Sequence, residues 1–327
     1  MRNANEVTSF FEDYFFAEPP ETTQEGSMLY RKLGPTGERV SLIGVGGFHL
    51  GTAADDQEGV RIVRKAVDSG VTFMDNCWDY HEGVSEMRMG RALKNGYREK
   101  VFLMSKIDGR YKETAARQID ESLLRLQTDR VDLMQFHEVI RVEDPDLIFS
   151  QGGALEAVQE AQNQGKVRFI GFTGHKDPMI HLRMLDMAEK NGFRFDTVQM
   201  PLNLMDAHFR SFQNLVLPRL VREGIGVLGM KPMGAGLIPQ SEAASPMECL
   251  HYAMTLPVST VITGMENFSM LEQALTAART FEPLTRDDLS DLLGRSSEAG
   301  RNGEYEPYKT ATRHDATARN PRWLGGV

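Results

Sequence analysis

One pattern constrains this chain more than any other: a short apolar run followed by an amphipathic stretch, repeated eight times. The runs are "SLIGVGG" (41–47), "VTFMDNC" (71–77), "VFLMSK" (101–106), "VDLMQFH" (131–137), "VRFIGFTG" (167–174), "TVQMPLN" (197–203), "GVLGMKP" (226–232) and "TVITGM" (260–265). They recur roughly every 30 residues, the length of one strand–crossover–strand unit. Continuous apolar strands between amphipathic helices mean a parallel sheet covered on its outer face. Eight such units predict an α/β fold of the (β/α)8 TIM-barrel type. An open dinucleotide-binding sheet would want GxGxxG after its first strand. Here "IGVGGFHLG" runs into "AADDQE", whose charge repels a pyrophosphate.

The ends are different. Residues 28–40 read as a β-hairpin turning at Gly34–Gly37, placed to plug the barrel bottom. A helix is expected over about 209–223, and a helix followed by a tail over 282–327. The expected division is an acidic extension at 1–27, the barrel at 28–300, and a C-terminal tail at 301–327 near the active-site mouth. Tyr305, Tyr308 and Trp323 are the aromatics that tail would fold over it. Residues 1–27 hold six acids against Arg2, with "FFEDYFF" among them. That segment reads as a docked tail, with a partner-binding role as the alternative.

Composition removes several classes. A net charge of −9 disfavours nucleic acid as a partner. Cys77 and Cys249 are the two cysteines and form no CxxC pair, which disfavours a disulfide framework or zinc ribbon and fits a reducing cytoplasm. No apolar run suits a membrane span, and the acid-rich start is unlike a secretory signal.

Chemistry in such barrels gathers where strands end. Four polar residues stand there or just beyond: Asp75, Tyr80, Lys106 and His137. Each alone has a bland explanation as a cap, a rim aromatic, a solvated lysine or a satisfied histidine. Together on one face they are costly to bury unless they pair. Lys106 beside Tyr80 is expected to lower the phenol pKa, with Asp75 orienting the lysine and His137 bonding a substrate oxygen.

"MDNCWDY", "GVSEMRMGRAL", "LMSK" and "LMQFH", in that order, resemble the aldo-keto reductase superfamily, over residues 29–280. The resemblance implies Asp75, Tyr80, Lys106 and His137 as a catalytic tetrad. It implies NAD(P)H-dependent reduction of an aldehyde or ketone, reversible to an alcohol, with Tyr80 as proton donor and no metal. It further implies cofactor contacts at Gln199, Thr173, Met230, Lys231 and Gly236. At the adenosine end it implies Gly264, Asn267, Glu272 and Gln273. Asn203 is expected on the same wall. The pattern departs from many members at "GFTGH", where a Ser-Asn pair is common, and at Met230, where an aromatic often stacks. Ser269 stands near the usual 2′-phosphate grip. NADPH is the expected cofactor and NADH its alternative.

Trp78 and His49 are the expected substrate-side residues, Trp78 having core packing as its other reading. The rim loops 138–152 and 233–245 decide the substrate, and the acids of "RVEDPDLIFSQGG" disfavour anions. Two rivals remain on the page. A nucleotide-sensing regulatory subunit draws support from the acidic leader, against the complete tetrad. A metal-dependent hydrolase would want more than the lone His49 on strand 1.

Overall fold

The computed structural model describes residues 19–326, so the aromatic "FFEDYFF" of the leader lies outside the described residues. Three short strands come first: β1 (Thr22–Glu25), β2 (Met28–Lys32) and β3 (Arg39–Ser41), an antiparallel sheet in the order β1-β2-β3. The last two are the expected hairpin. β1 is an addition, pairing Thr22 with Arg31 and Glu25 with Met28 inside the stretch expected to be a plain extension.

Eight parallel strands then close into a barrel. They are β4 (Ile43–Gly46), β5 (Phe73–Asp75), β6 (Phe102–Ile107), β7 (Val131–Phe136), β8 (Val167–Thr173), β9 (Thr197–Pro201), β10 (Gly226–Met230) and β11 (Thr260–Gly264). Each pairs with the next, and β11 returns to β4 through Val261↔Ile43. The covering helices are α1 (Asp56–Asp68), α2 (Val84–Ala92), α3 (Lys112–Leu126), α4 (Ala154–Asn163), α5 (Pro178–Lys190), α6 (Leu217–Glu223), α7 (Pro246–Thr255) and α8 (Phe268–Arg279); α9 (Arg286–Gly300) follows. Their starts are written in the sequence. Asp55, Asp177 and Asn267 cap α1, α5 and α8, and Ser245 with Glu248 forms a capping box on α7.

The helix expected over 209–223 is broken. A single turn at Phe212–Leu215 stops before α6 begins at Leu217. Pro218 has no N–H to continue a preceding helix but suits the first turn of a new one.

Strand parity builds the interior. Phe73, Phe102, Met104, Leu133, Leu228 and Ile262 form the inner layer, with Phe73 and Phe102 stacked at 5.6 Å. Leu33 and Val40 join it from either side of the hairpin turn, so the hairpin does plug the bottom. The fit is close: a Cβ on Gly34 (φ 50°) would sit 2.3 Å from the Gly226 nitrogen. The alternate residues Met74, Leu103, Ile107, Met134 and Phe136 face outward to the helices. Among the described residues no helix is long and apolar enough to cross a membrane.

Phe102→Ala should cost about 3–5 kcal/mol, the usual range for emptying a packed aromatic site. Urea denaturation monitored by tryptophan fluorescence would read this as a lower midpoint at constant slope. A loss below about 1 kcal/mol would contradict the inner layer described.

Candidate functional site

The parity that sends Phe73, Phe102 and Leu133 into the bottom layer also sends Asp75, Lys106 and His137 inward, at the other end. Side chains two residues apart on a strand share a face. A parallel barrel brings every strand's C-terminal end to one rim, so residues far apart in sequence become neighbours. Asp75 is aligned with Gly46 of β4, and Lys106 with Gln135 of β7.

At that rim the four residues converge. Lys106 is buried, and its Nζ donates to Asp75 Oδ1 at 2.5 Å, to the Asn76 carbonyl at 2.7 Å and to the Tyr80 hydroxyl oxygen at 3.1 Å. An ammonium has three N–H groups, so all are committed. Tyr80 accepts with its oxygen, and its own hydrogen is left for another acceptor. Tyr80 and His137 meet edge-on, ring centroids 5.7 Å apart.

The expected lowering of the Tyr80 pKa is reversed. Burial first, then the Asp75 carboxylate, pushes the phenol well above its ordinary 10. Lys106 does not offset this, because its ammonium sits closer to Asp75, at 2.5 Å, than to the phenol, at 3.1 Å. The phenol is therefore held as a neutral O–H, the form that donates a proton.

Around His137 stand two acids that the sequence reading did not single out. His137 Nδ1 lies 2.9 Å from Asp108 Oδ1 and 3.4 Å from Asp79 Oδ1. Burial, then Glu138, pushes Asp108 up to about 8. Burial, then Asp108, pushes Asp79 up to about 7. Burial lowers His137. Cys77, Asp79 and His137 bring donor atoms within 4.8 Å of one another. Burial, then Asp79 and Asp108, keeps the Cys77 thiol well above its ordinary value. It stays an S–H, donating to the Lys106 carbonyl at 3.7 Å. Arg110, fully buried, braces the backbone here: it donates to the carbonyls of His137 at 2.8 Å and Glu138 at 2.9 Å, and pairs with Asp144. Asp144 of "RVEDPDLIFSQGG" is thus neutralised, and Asp146 is paired with Arg183, so that loop repels anions less than its composition suggests.

The expected cofactor residues line one side of the same mouth. Thr173 is aligned with Gln199, and its hydroxyl points to Met230 Sδ at 3.9 Å. Gln199 donates to Asp75 Oδ2 at 2.6 Å, while its Oε1 is buried without a partner. The Lys231 ammonium rests 5.2 Å over the Tyr308 ring and has no hydrogen-bond or ion-pair partner among the described residues. Gly236 (φ 84°) ends a turn of left-handed residues, with open space where a side chain would project. At the α8 start, Asn267 caps Met270, Glu272 lies 3.9 Å from Arg279, and Gln273 is half-buried. Asn203 is not free on this wall. Both ends of its amide are used, on Tyr308, Glu306, the Lys231 carbonyl, and the amides of Met205 and Asp206.

Both expected substrate-side residues sit elsewhere. Trp78 turns away from Tyr80: its indole donates to Glu121 at 2.6 Å, Arg125 covers its ring at 5.5 Å, and Trp323 meets it edge-on. It packs α3 against the tail. His49 lies against Gly264, 3.3 Å from Glu266, at the adenosine end of the expected cofactor groove. Phe48, like His137, meets Tyr80 edge-on, centroids 5.4 Å apart, and half of its surface is exposed. An aromatic left exposed beside Gly46-Gly47 was the available signal.

Residues 308–324 contact the loops that follow β5, β6, β7, β8 and β9. Lys309 spends its three N–H groups on Asp206, Glu306 and the Phe209 carbonyl, all within 2.8 Å. His175 and Lys176 bind Asp315 at 3.0 and 2.8 Å. Glu138, next to His137 and at φ 45°, accepts the amides of Ala316 and Thr317 and the Thr317 hydroxyl.

With this geometry in view, comparison with known proteins is direct. The model of the Aldo/keto reductase family matches residues 42–248. An L-galactose dehydrogenase of Arabidopsis thaliana is 30% identical over 297 residues, covering 79% of this chain and 90% of that protein. The aldo-keto reductase YhdN of Bacillus subtilis is 29% identical over 58% of either chain. Among solved structures, the aldo-keto reductase AKR11C1 from Bacillus halodurans aligns with a TM-score of 0.68 at 22% identity, covering 81% of this chain and 95% of that one. At that identity the likeness speaks for the fold.

The Glu138 clamp sets a pH dependence for the tail. Burial works to raise this carboxyl, but His137, His175 and the two tail amides outweigh it and hold it below its ordinary 4.5. A depressed acid stabilises above its unfolded value and loses that contribution as pH falls through its folded one. Hydrogen exchange should show the amides of Ala316 and Thr317 protected at neutral pH and released as pH falls through the folded value of Glu138, which lies below 4.5. Glu138→Gln should release them at pH 7 as well. Protection unchanged in that variant would remove Glu138 as the anchor.

Proposed function

The chain belongs to the aldo/keto reductase family, and on that premise we propose that it reversibly reduces an aldehyde or ketone with Tyr80 as the proton donor. One observation carries the reading: Lys106 binds the Tyr80 oxygen and leaves the phenolic hydrogen free. Burial and Asp75 keep that hydrogen on the ring oxygen until a stronger acceptor forms. A carbonyl oxygen gaining negative charge is such an acceptor. Asp75 fixes the lysine, Gln199 fixes the second oxygen of Asp75, and His137 stands edge-on to the phenol as the next polar group. In the oxidative direction Tyr80 takes the alcohol proton, with the Lys106 ammonium steadying the phenolate.

A nicotinamide dinucleotide, when bound, supplies or accepts the hydride. The residues present fit such a group. The unpartnered Gln199 Oε1 suits a carboxamide N–H, and Thr173 and Met230 flank it. The Lys231 ammonium and the open backbone at Gly236 suit a pyrophosphate. Gly264, Asn267, Glu272 and Gln273 serve the adenosine end. Family usage favours NADPH; Glu266 and Ser269 at the start of α8 offer no cation for a 2′-phosphate, so NADH is tested beside it. The complete tetrad supports turnover over a regulatory subunit. The name of the Arabidopsis relative puts polyhydroxylated compounds such as L-galactose in the first panel, together with simple aldehydes and ketones.

Tyr80→Phe should lower kcat by about 10²–10⁴-fold. Fluorescence titration should show its affinity for the preferred dinucleotide within about threefold of the parent. A variant that still turns over a good substrate at the parent rate would remove Tyr80 from this role.

A further inference from the structure

His137 helps a carbonyl only if its free nitrogen carries a hydrogen, and its surroundings settle whether it does. Nδ1 is taken by Asp108, while Nε2 makes no hydrogen bond within the described residues and is the edge left for a ligand. The charged and titratable groups facing the ring come from three loops. They are Asp79, with Cys77 and Tyr80, after β5; Lys106, Asp108 and Arg110 at and after β6; and Glu138 beside it. Most are already committed. Lys106 is bound to Asp75, Arg110 to Asp144, and Glu138 to the tail. Asp79 and Asp108 have, among the described residues, no cation to pair with other than this ring itself. Asp79 Oδ1 and Asp108 Oδ2 are buried and accept no hydrogen bond. Two buried carboxylates beside a neutral ring, with no cation of their own, are strongly disfavoured.

We propose that Asp108, backed by Asp79, keeps one additional proton on the His137–Asp108 pair, so that His137 Nε2 carries a hydrogen and presents a donor to the substrate oxygen. The proton has two places to sit. Either Asp108 is ionised and His137 is an imidazolium, or Asp108 is protonated and gives its hydrogen to Nδ1 of a neutral ring. The two differ by one shift across a 2.9 Å hydrogen bond. Both leave N–H on Nε2, so the donor does not depend on which one prevails. Losing the extra proton is what converts Nε2 into an acceptor. Asp79, 3.4 Å from the same nitrogen, raises the cost of that loss. The upward push on Asp108, to about 8, points the same way. Asp79 and Asp108 are therefore positioning residues acting through His137, in a role distinct from that of Asp75. What the donor accomplishes rests on the reductase reading; the state of the nitrogen does not.

The test has one arm for each. With ¹⁵N-labelled histidine, and His137 assigned by its loss in His137→Asn, Nε2 should be protonated at pH 7 in the parent and lose its hydrogen as pH passes about 8. In Asp108→Leu the Asp79 carboxylate is left as the acceptor that draws the ring hydrogen to Nδ1, so the Nε2 hydrogen should be depleted at pH 7. Carbonyl reduction should then fall about 10- to 100-fold in kcat with KM little changed. Asp108→Asn, whose amide can donate to Nδ1 but cannot ionise, should rescue activity and flatten the alkaline limb of the pH profile. It also serves if the leucine variant does not fold. An unprotonated Nε2 in the parent at pH 7, or an unchanged nitrogen in Asp108→Leu, overturns the proposal. The predicted nitrogen states in a protein that reduces no carbonyl would instead overturn the reductase reading and leave the proton pair standing.

Discussion

The site turns on one ammonium group. Lys106 has three hydrogens, and each holds something different: the Asp75 carboxylate, the main chain at Asn76, and the Tyr80 oxygen. No fourth bond is available, so the phenol is oriented by what the lysine has already spent. An ion pair this deep is no gain in stability by itself, since desolvating both charges costs about as much as their attraction returns. Its value is directional. Remove the carboxylate and a buried ammonium is left with one neutral oxygen and one carbonyl; remove the ammonium and Tyr80 loses the hydrogen-bond partner its oxygen has among the described residues.

Much of this was legible before any coordinates. Period-two alternation in "VFLMSK" and "VDLMQFH" puts Lys106 and His137 on the same face as Met104 and Leu133, and the barrel does the rest. The hairpin was legible from its turn residues. What could not be read were the partners supplied by distant segments. Nothing in "NCWDY" or "KIDGR" says that Asp79 and Asp108 will converge on one imidazole, because loop residues have no periodicity to betray their direction. Trp78 misled for the same reason: its neighbours Glu121, Arg125 and Trp323 lie on a helix and a tail, well away in sequence. The strand β1 was hidden by composition, since "TTQE" is polar and exposed and earns its place through main-chain pairing alone. Proximity to Lys106 favours a low Tyr80 pKa, but the burial that comes with that proximity outweighs it, and burial is not written in the local sequence.

The two acids on His137 and the single acid on its neighbour divide labour cleanly. Glu138 is fully satisfied by the tail and stays ionised. Asp79 and Asp108 are left short of donors and hold on to protons. Three carboxyl groups within one loop cluster thus do different things because their hydrogen-bond supply differs, a distinction that charge counting alone would miss.

The tail that binds the rim loops has a consequence for biosynthesis. The last barrel strand ends at Gly264, whereas the contacts through Asp315, Thr317 and Trp323 come about fifty to sixty residues later. At ordinary elongation speeds that interval is on the order of several seconds on the ribosome. The barrel's strands therefore emerge well before the segment that binds its rim loops, and a chain interrupted in between would carry Asp75, Tyr80, Lys106 and His137 without it.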